Sequence, residues 1–311
     1  MKMAVIGCIN NGIFEEIRVP LDEDIFDEVT CARKTLVDML DMEITYDQIM
    51  EEFTSFKGKM KESNIRILRS GGHRGYEEMH ELRSNLNRIA FNLFNLSKFY
   101  LDKHCYENQT KSFVLNLTED KQRHAEVVRQ RKVAYENNLY YTFGGVLRNV
   151  VQHHLLPVEN FRSGISRANL KDKAVSSFSI PIDMNKVAPL VQLKSDKRAL
   201  DKVLKHEDFK PDLHKILDGY VYALGTFHTL NRTLVTEAVG KAKEVLKDFE
   251  SKVIVSEGLV EATVRIIDVL ENHREVSLFH LDLSWYKVAD YLQCKNGRAV
   301  DYGLWEFNGY L

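Results

Sequence analysis

The sequence predicts a mainly α-helical protein, a helical bundle with small β-hairpin appendages. Three observations carry that prediction. Only 5 Pro and 16 Gly punctuate 311 residues, too few breakers for a many-stranded sandwich or barrel. Apolar residues recur three and four positions apart through most of the chain, as on a helix that buries one face. β-like patterning is limited to short runs, which suits hairpins set on a bundle.

The first such run is Met3 to Ile9, followed by Asn10-Asn11-Gly12 and then Ile13 to Val19, with Pro20 closing it. A turn signal between two apolar runs reads as a hairpin. Two helices are expected next: Asp24 to Met42 on Ile25, Val29, Leu36 and Leu40, and Tyr46 to Glu62 on Ile49, Phe53, Phe56 and Met60. Gly71-Gly72 breaks the pattern. From Tyr76 to His104, Met79, Leu82, Leu86, Ile89, Leu93, Leu96 and Tyr100 form a continuous seam, so this helix needs a packing partner along its length.

Ser112 to Leu117 reads as β-like, and Thr118 with Glu119 and Asp120 after it reads as a helix start. Helical patterning then continues to His154 or Leu155, where Pro157 forbids much more. Unbroken, it would span about 50 Å. Gly144-Gly145 lies inside it. Each glycine costs about 1 kcal/mol relative to alanine, which implies a kink or a close helix crossing there.

Glu159 to Lys194 loses the helical period and reads as an insertion or hairpin, with a β-like edge run from Ser177 to Ile182. Helices are expected again over Asp196 to Lys205, Pro211 to Phe249 and Val260 to Glu271, the second on Leu213, Leu217, Tyr220, Leu224 and Phe227. A strand-like Phe279 to Leu283, a helical Trp285 to Leu292 and Trp305 close the chain. The expected organisation is a helical domain with its N-terminal hairpin over 1–158, an irregular β insertion over 159–195, and a helical region over 196–311 able to pack into the same domain.

Charge narrows the function classes. With 43 Lys+Arg against 45 Asp+Glu, the net charge is -2, which argues against a broad basic platform for nucleic acid but allows a compact phosphate site. No run of 18 apolar residues occurs, and Asn10-Asn11-Gly12 cuts the N-terminal apolar stretch below signal-peptide length. A cytoplasmic location is the expectation. Cys8, Cys31, Cys105 and Cys294 are far apart without a C-x-x-C pair, so neither a disulfide framework nor a zinc site is indicated, and no metal or cofactor is expected. Nucleotide-loop, zincin and hydrolase-elbow motifs are missing from the sequence.

One constellation remains. In LRNVVQHH, Leu147 to His154, the residues Arg148, Asn149 and His153 follow R-N-x-x-x-H near the end of a helix. Arg66, Arg74 and Arg274 are also separated from a following His by four to six residues, but only Arg148 is followed by Asn and lies within one long helical pattern. Asn149 and His153 are i,i+4 and share a face, whereas Arg148 is about 140° from His153 and must reach round. Leu139, Phe143, Val146 and Val150 form a separate apolar stripe. His154, on the other side of Arg148, is expected to be structural.

The motif resembles that of the HEPN superfamily, and this resemblance implies metal-free cleavage of RNA, a chemistry these residue types suit. Histidine exchanges protons near neutral pH, while arginine stays charged and can bond phosphate oxygens in pairs. A base that takes the 2′-OH proton, an acid for the leaving 5′-oxygen and a cation for the phosphate complete the chemistry. Upstream, Arg123, Arg129, Arg131 and Lys132 are candidates to guide RNA, and Tyr140 and Tyr141 to stack on a base.

The motif and the long helix bearing it resemble the HEPN superfamily of all-α proteins. That resemblance, which covers Tyr76 to Pro157, implies a metal-independent endoribonuclease whose motifs meet across a homodimer. Arg148, Asn149 and His153 would be its catalytic residues. It further implies a toxin or antiphage-defence effector that cleaves RNA, with an antitoxin or regulatory protein as partner. The rival expectation is a non-catalytic scaffold whose seams at Met79 to Tyr100 and Leu213 to Phe227 bind partner chains.

Overall fold

The computed structural model describes residues 1–10, 13–70, 75–105, 112–167, 175–256, 262–271 and 274–304. The Asn10-Asn11-Gly12 turn falls partly outside them, and the Gly71-Gly72 break, His73, Arg74 and Trp305 wholly outside. Within these limits the chain is mainly helical with small antiparallel sheets. No described helix is long and apolar enough to cross a membrane.

Strands β1 (Lys2–Asn10) and β2 (Ile13–Pro20) lead into helix α1 (Glu23–Ser70). Here one unbroken helix replaces the two that the sequence predicts. Met42, Glu43, Thr45 and Tyr46 are all buried at the expected junction and no Gly or Pro stands there, so nothing stops the helix. Helix α2 (Tyr76–His104) has the predicted bounds. Next come α3 (Phe113–Thr118), α4 (Lys121–Asn137), α5 (Leu139–His153), β3 (Arg162–Ser166) and β4 (Val175–Ser179). The short α6 (Met184–Val187), α7 (Lys194–Leu204), α8 (Leu213–Ser256), β5 (Ala262–Val269), β6 (Glu275–His280) and α9 (Lys287–Lys295) complete the order.

The chain forms two compact units. Unit 1 comprises Met1–Ile44, Phe113–Asp120 and Arg232–Lys295, and unit 2 comprises Thr45–Ser112, Lys121–Asn231 and Asn296–Leu311. In unit 1 the antiparallel strands run β2-β1-β5-β6, so the N-terminal hairpin is half of a four-stranded sheet. Ala4, Val5 and Ile6 are all buried in its interior strand. Val29, Leu36 and Met39 of α1, Val235 and Leu246 of α8, and Leu292 of α9 supply further core. The Arg33 guanidinium lies 4.8 Å from the centre of the Phe279 ring.

Strand β5 corrects the helix expected over Val260 to Glu271. Its register against β6 shifts between Ile266 and Ile267, and both isoleucines are buried. A bulge of this kind breaks the alternation of a strand and leaves apolar spacings that imitate a helix. The reverse correction applies to Ser112 to Leu117, where helix α3 replaces a β-like run. Glu119, at φ 55°, separates α3 from α4. Thr118 ends α3, and its Oγ1 accepts from the Asp120 N–H at 3.2 Å.

Unit 2 has an aromatic interior. Tyr46 stacks on His228 at 3.9 Å, and Tyr100 Oη lies 3.0 Å from His228 Nδ1 while accepting from Asn231 Nδ2 at 3.3 Å. Beside them His104 is buried. Burial, then the charges of Lys103 and His228, push its imidazole from the ordinary 6.5 down to about 3. A base held neutral when folded binds fewer protons than it does unfolded, so its contribution to stability is full above pH 6.5 and is lost as pH falls toward 3. The expected slope is about 1 kcal/mol per pH unit. Urea denaturation at stepped pH should show it, and a His104→Gln variant should flatten that limb.

The long helix expected from Thr118 to His154 is instead α4 and α5, divided at Asn138. Asn138 Oδ1 accepts from the Tyr141 N–H at 2.9 Å, an N-cap that satisfies one orphan donor of α5. Gly144 meets the expectation of a close crossing: a Cβ there would lie 2.6 Å from Cδ2 of Tyr220 on α8. β3 and β4 form the hairpin expected within the Glu159 to Lys194 insertion.

Candidate active site

Helix α5 presents the predicted motif, and burial of its apolar side decides how. Phe143, Val146, Leu147, Val150 and Val151 are buried, which holds the helix against its neighbours, α7 among them. Its last residue is His153, and the His154 N–H still bonds to the Val150 carbonyl at 2.8 Å.

The motif divides into two parts. Arg148 is only 7% exposed. Its Nε and Nη2 donate to Asn149 Oδ1 at 3.2 and 2.9 Å, and Asn149 Nδ2 donates to Asp196 Oδ2 at 2.7 Å. Asp196 sits in the first turn of α7, where a carboxylate also favours the helix dipole. Arg148, Asn149 and Asp196 thus form a polar tie between α5 and α7. Nε and Nη2 of Arg148, two donor groups expected to grip phosphate, are turned onto Asn149 in this arrangement.

His153 is exposed and stands outside that tie. Its ring faces that of His154, also exposed, with centroids 6.1 Å apart and nearly perpendicular planes. His154 Nε2 lies 3.5 Å from Gln192 Nε2. The end of α5 therefore offers two neighbouring imidazoles to solvent, His153 and the helix-capping His154. Asp196 carries no signal in the sequence, because it lies 47 positions from Asn149 and meets it only through the α5–α7 packing.

The residues expected to guide RNA scatter. Arg129 is exposed but donates twice to Glu126, at 2.7 and 2.6 Å. Arg131 donates to the Cys105 carbonyl at 3.2 Å and bonds to the Tyr141 phenol. Arg123 is half-buried and Lys132 exposed. Tyr141 is a correction: at 5% exposure, stacked on Tyr220 at 5.4 Å and edge-on to Phe227 at 5.5 Å, it belongs to the core and cannot receive a base. Burial pushes its phenol far above the usual range. Tyr140 is half-buried and faces Phe209 at 5.5 Å.

Among the described residues no group of three or more His, Cys, Asp or Glu is placed to hold a metal ion. Comparison with protein-family models, curated proteins and solved structures finds no match to this chain.

Proposed function

We propose that this protein is a metal-independent endoribonuclease of HEPN type, acting as a homodimer. The observation that carries the reading is the exposed pair His153 and His154, 6.1 Å apart at the end of α5 and adjoining the Arg148–Asn149–Asp196 tie. One neutral imidazole takes the 2′-OH proton, the 2′-oxygen attacks phosphorus, and the 5′-oxygen leaves with a proton from an imidazolium. The products are a 2′,3′-cyclic phosphate and a 5′-hydroxyl, so DNA is not a substrate. Arg148 and Asn149 act as positioning residues that fix the helix end, and the second copy brings its own histidines to the site. A role as a toxin or defence effector extends this reading by analogy.

Purified protein should cleave single-stranded RNA in the presence of EDTA, and His153→Ala should cut the rate about a hundredfold with unchanged denaturation. Equal cleavage by wild type and His153→Ala would remove the assignment.

A second reading has its own observation. Burial of Arg148 against Asn149 and Asp196 suits a motif that ties helices together in a non-catalytic interaction protein. RNA left intact by the wild type, with Asn149→Ala lowering stability, is the result that favours it.

A further inference from the structure

A cleft of about 920 Å³ opens in unit 2 between α2 and the segment that follows α5. His80, Ser84, Asn87 and Phe91 run down one face of α2, with Arg83 and Arg88 on its flanks. Leu155, Leu156 and Val158 form the apolar part of the opposite wall, and Asn160 its polar end. The wall is fixed in place. Asn87, buried, donates Nδ2 to the Val158 carbonyl at 2.8 Å and accepts the Val158 N–H at 2.7 Å. A cleft so braced needs little ordering when a ligand enters.

Its charge is unbalanced. No Asp or Glu stands three or four positions from Arg83 or Arg88, so neither can pair along its own helix. Glu159, the one carboxylate among the described lining residues, is held by Lys186 at 2.7 and 2.9 Å. Arg83 has only the His80 imidazole, Nη2 to Nδ1 at 3.3 Å, and Arg88, exposed, has no partner among the described residues. Two guanidiniums without a carboxylate partner among the described residues flank the apolar side chains of Phe91, Leu155 and Leu156. Paired N–H donors suit phosphate oxygens, and an aromatic and aliphatic floor suits a flat heterocycle.

We infer that this cleft binds a nucleoside phosphate, with the phosphate on Arg83 and Arg88 and the base against Phe91 and the Leu155–Leu156 wall. The unit is either a free nucleotide or one residue of a single strand. The inference goes beyond the cleavage reading and does not depend on it, although the cleft begins directly after His154.

The test uses the full chain and an Arg83→Ala/Arg88→Ala double variant. Calorimetry measures nucleoside 5′-monophosphates, and fluorescence anisotropy measures a labelled 2′-O-methyl RNA, whose blocked 2′-oxygen prevents cleavage. Binding is expected to weaken about tenfold or more in the double variant and to fall with salt. Both arginines are exposed, so the variant should fold as the wild type does, and circular dichroism checks it. Binding of monophosphates alone identifies a free nucleotide, and binding of the RNA identifies a strand; either supports the site. No binding of either probe, affinity unchanged in the double variant, or equal affinity for the unphosphorylated nucleoside overturns it. Binding without RNA cleavage would remove the nuclease reading alone, and RNA cleavage with undiminished affinity in the double variant would remove the cleft alone.

Discussion

Arg232→Ala is expected to destabilise the protein by about 3–5 kcal/mol, read as a lower midpoint in urea denaturation with little change in slope. Within unit 1, Arg232 Nε donates to Glu43 Oε1 at 2.7 Å and Nη2 bonds to Oε2. Glu43 is 0% exposed and the Arg232 side chain 13%. The pair is a planar fork against a carboxylate, joining α1 to α8 inside the fold. Removing the guanidinium takes its two donors from a buried anion, and that lost compensation dominates because the Coulomb gain of the intact pair is largely offset by the cost of burying both charges.

If the buried anion is the cause, Glu43→Leu/Arg232→Ala should recover much of the stability lost by Arg232→Ala alone, since it removes that charge. Arg232→Lys should fall between, keeping the charge but losing the second donor direction. If the double variant is as unstable as the sum of its single changes, the loss lies in packing instead.

Much of the fold was legible, and its misreadings have physical causes. Helix α2 has its predicted limits because its seam from Leu86 to Tyr100 has no Gly or Pro inside it and Gly75 precedes it. In sequence α1 reads as two helices because Leu40, Met42, Ile44 and Tyr46 alternate with polar residues there, which masks the helical period around buried Glu43. A partner 189 positions away, Arg232, pairs with that glutamate in the interior. β5 was lost to a bulge, and α3 to its brevity, since a run of six apolar and polar residues fits either period.

The candidate site divides the same way. Spacing along α5 correctly placed Asn149 and His153 on a common helix, but spacing carries no information about what lies opposite. Asp196 captures Asn149, and Arg148 follows, from a helix whose position depends on tertiary packing. Tyr141 looked available for stacking because its neighbours on α8 are invisible in the local sequence. The cleft beside α2 was also hidden, although its two arginines already lacked local carboxylates. Their meaning required the wall formed by Leu155 to Asn160.

The crossing of α5 and α8 supplies the other large effect: Gly219→Val is expected to cost about 3 kcal/mol or more. A Cβ at Gly219 would lie 2.6 Å from Tyr140 Cβ and 3.2 Å from Asn138 Oδ1. The first atom is bound to backbone and cannot swing away, and the second is the oxygen that caps α5. Asn138 Nδ2 also donates to the Gly219 carbonyl at 3.2 Å, so spreading the helices strains both bonds of one side chain. Overpacking accounts for about 1–3 kcal/mol and loss of the cap for about 1, against a small gain in helix propensity. The crossing is reciprocal, because Tyr220, the next residue of α8, fills the space above Gly144. At neighbouring Gly145 an added Cβ would meet nothing within 4 Å, so Gly145→Ala should stabilise by up to about 1 kcal/mol. Opposite signs for these substitutions, measured by thermal and urea unfolding, would tie the glycines to the close approach of two helices; a loss of equal size at Gly145 would mean that α5 needs backbone freedom there instead.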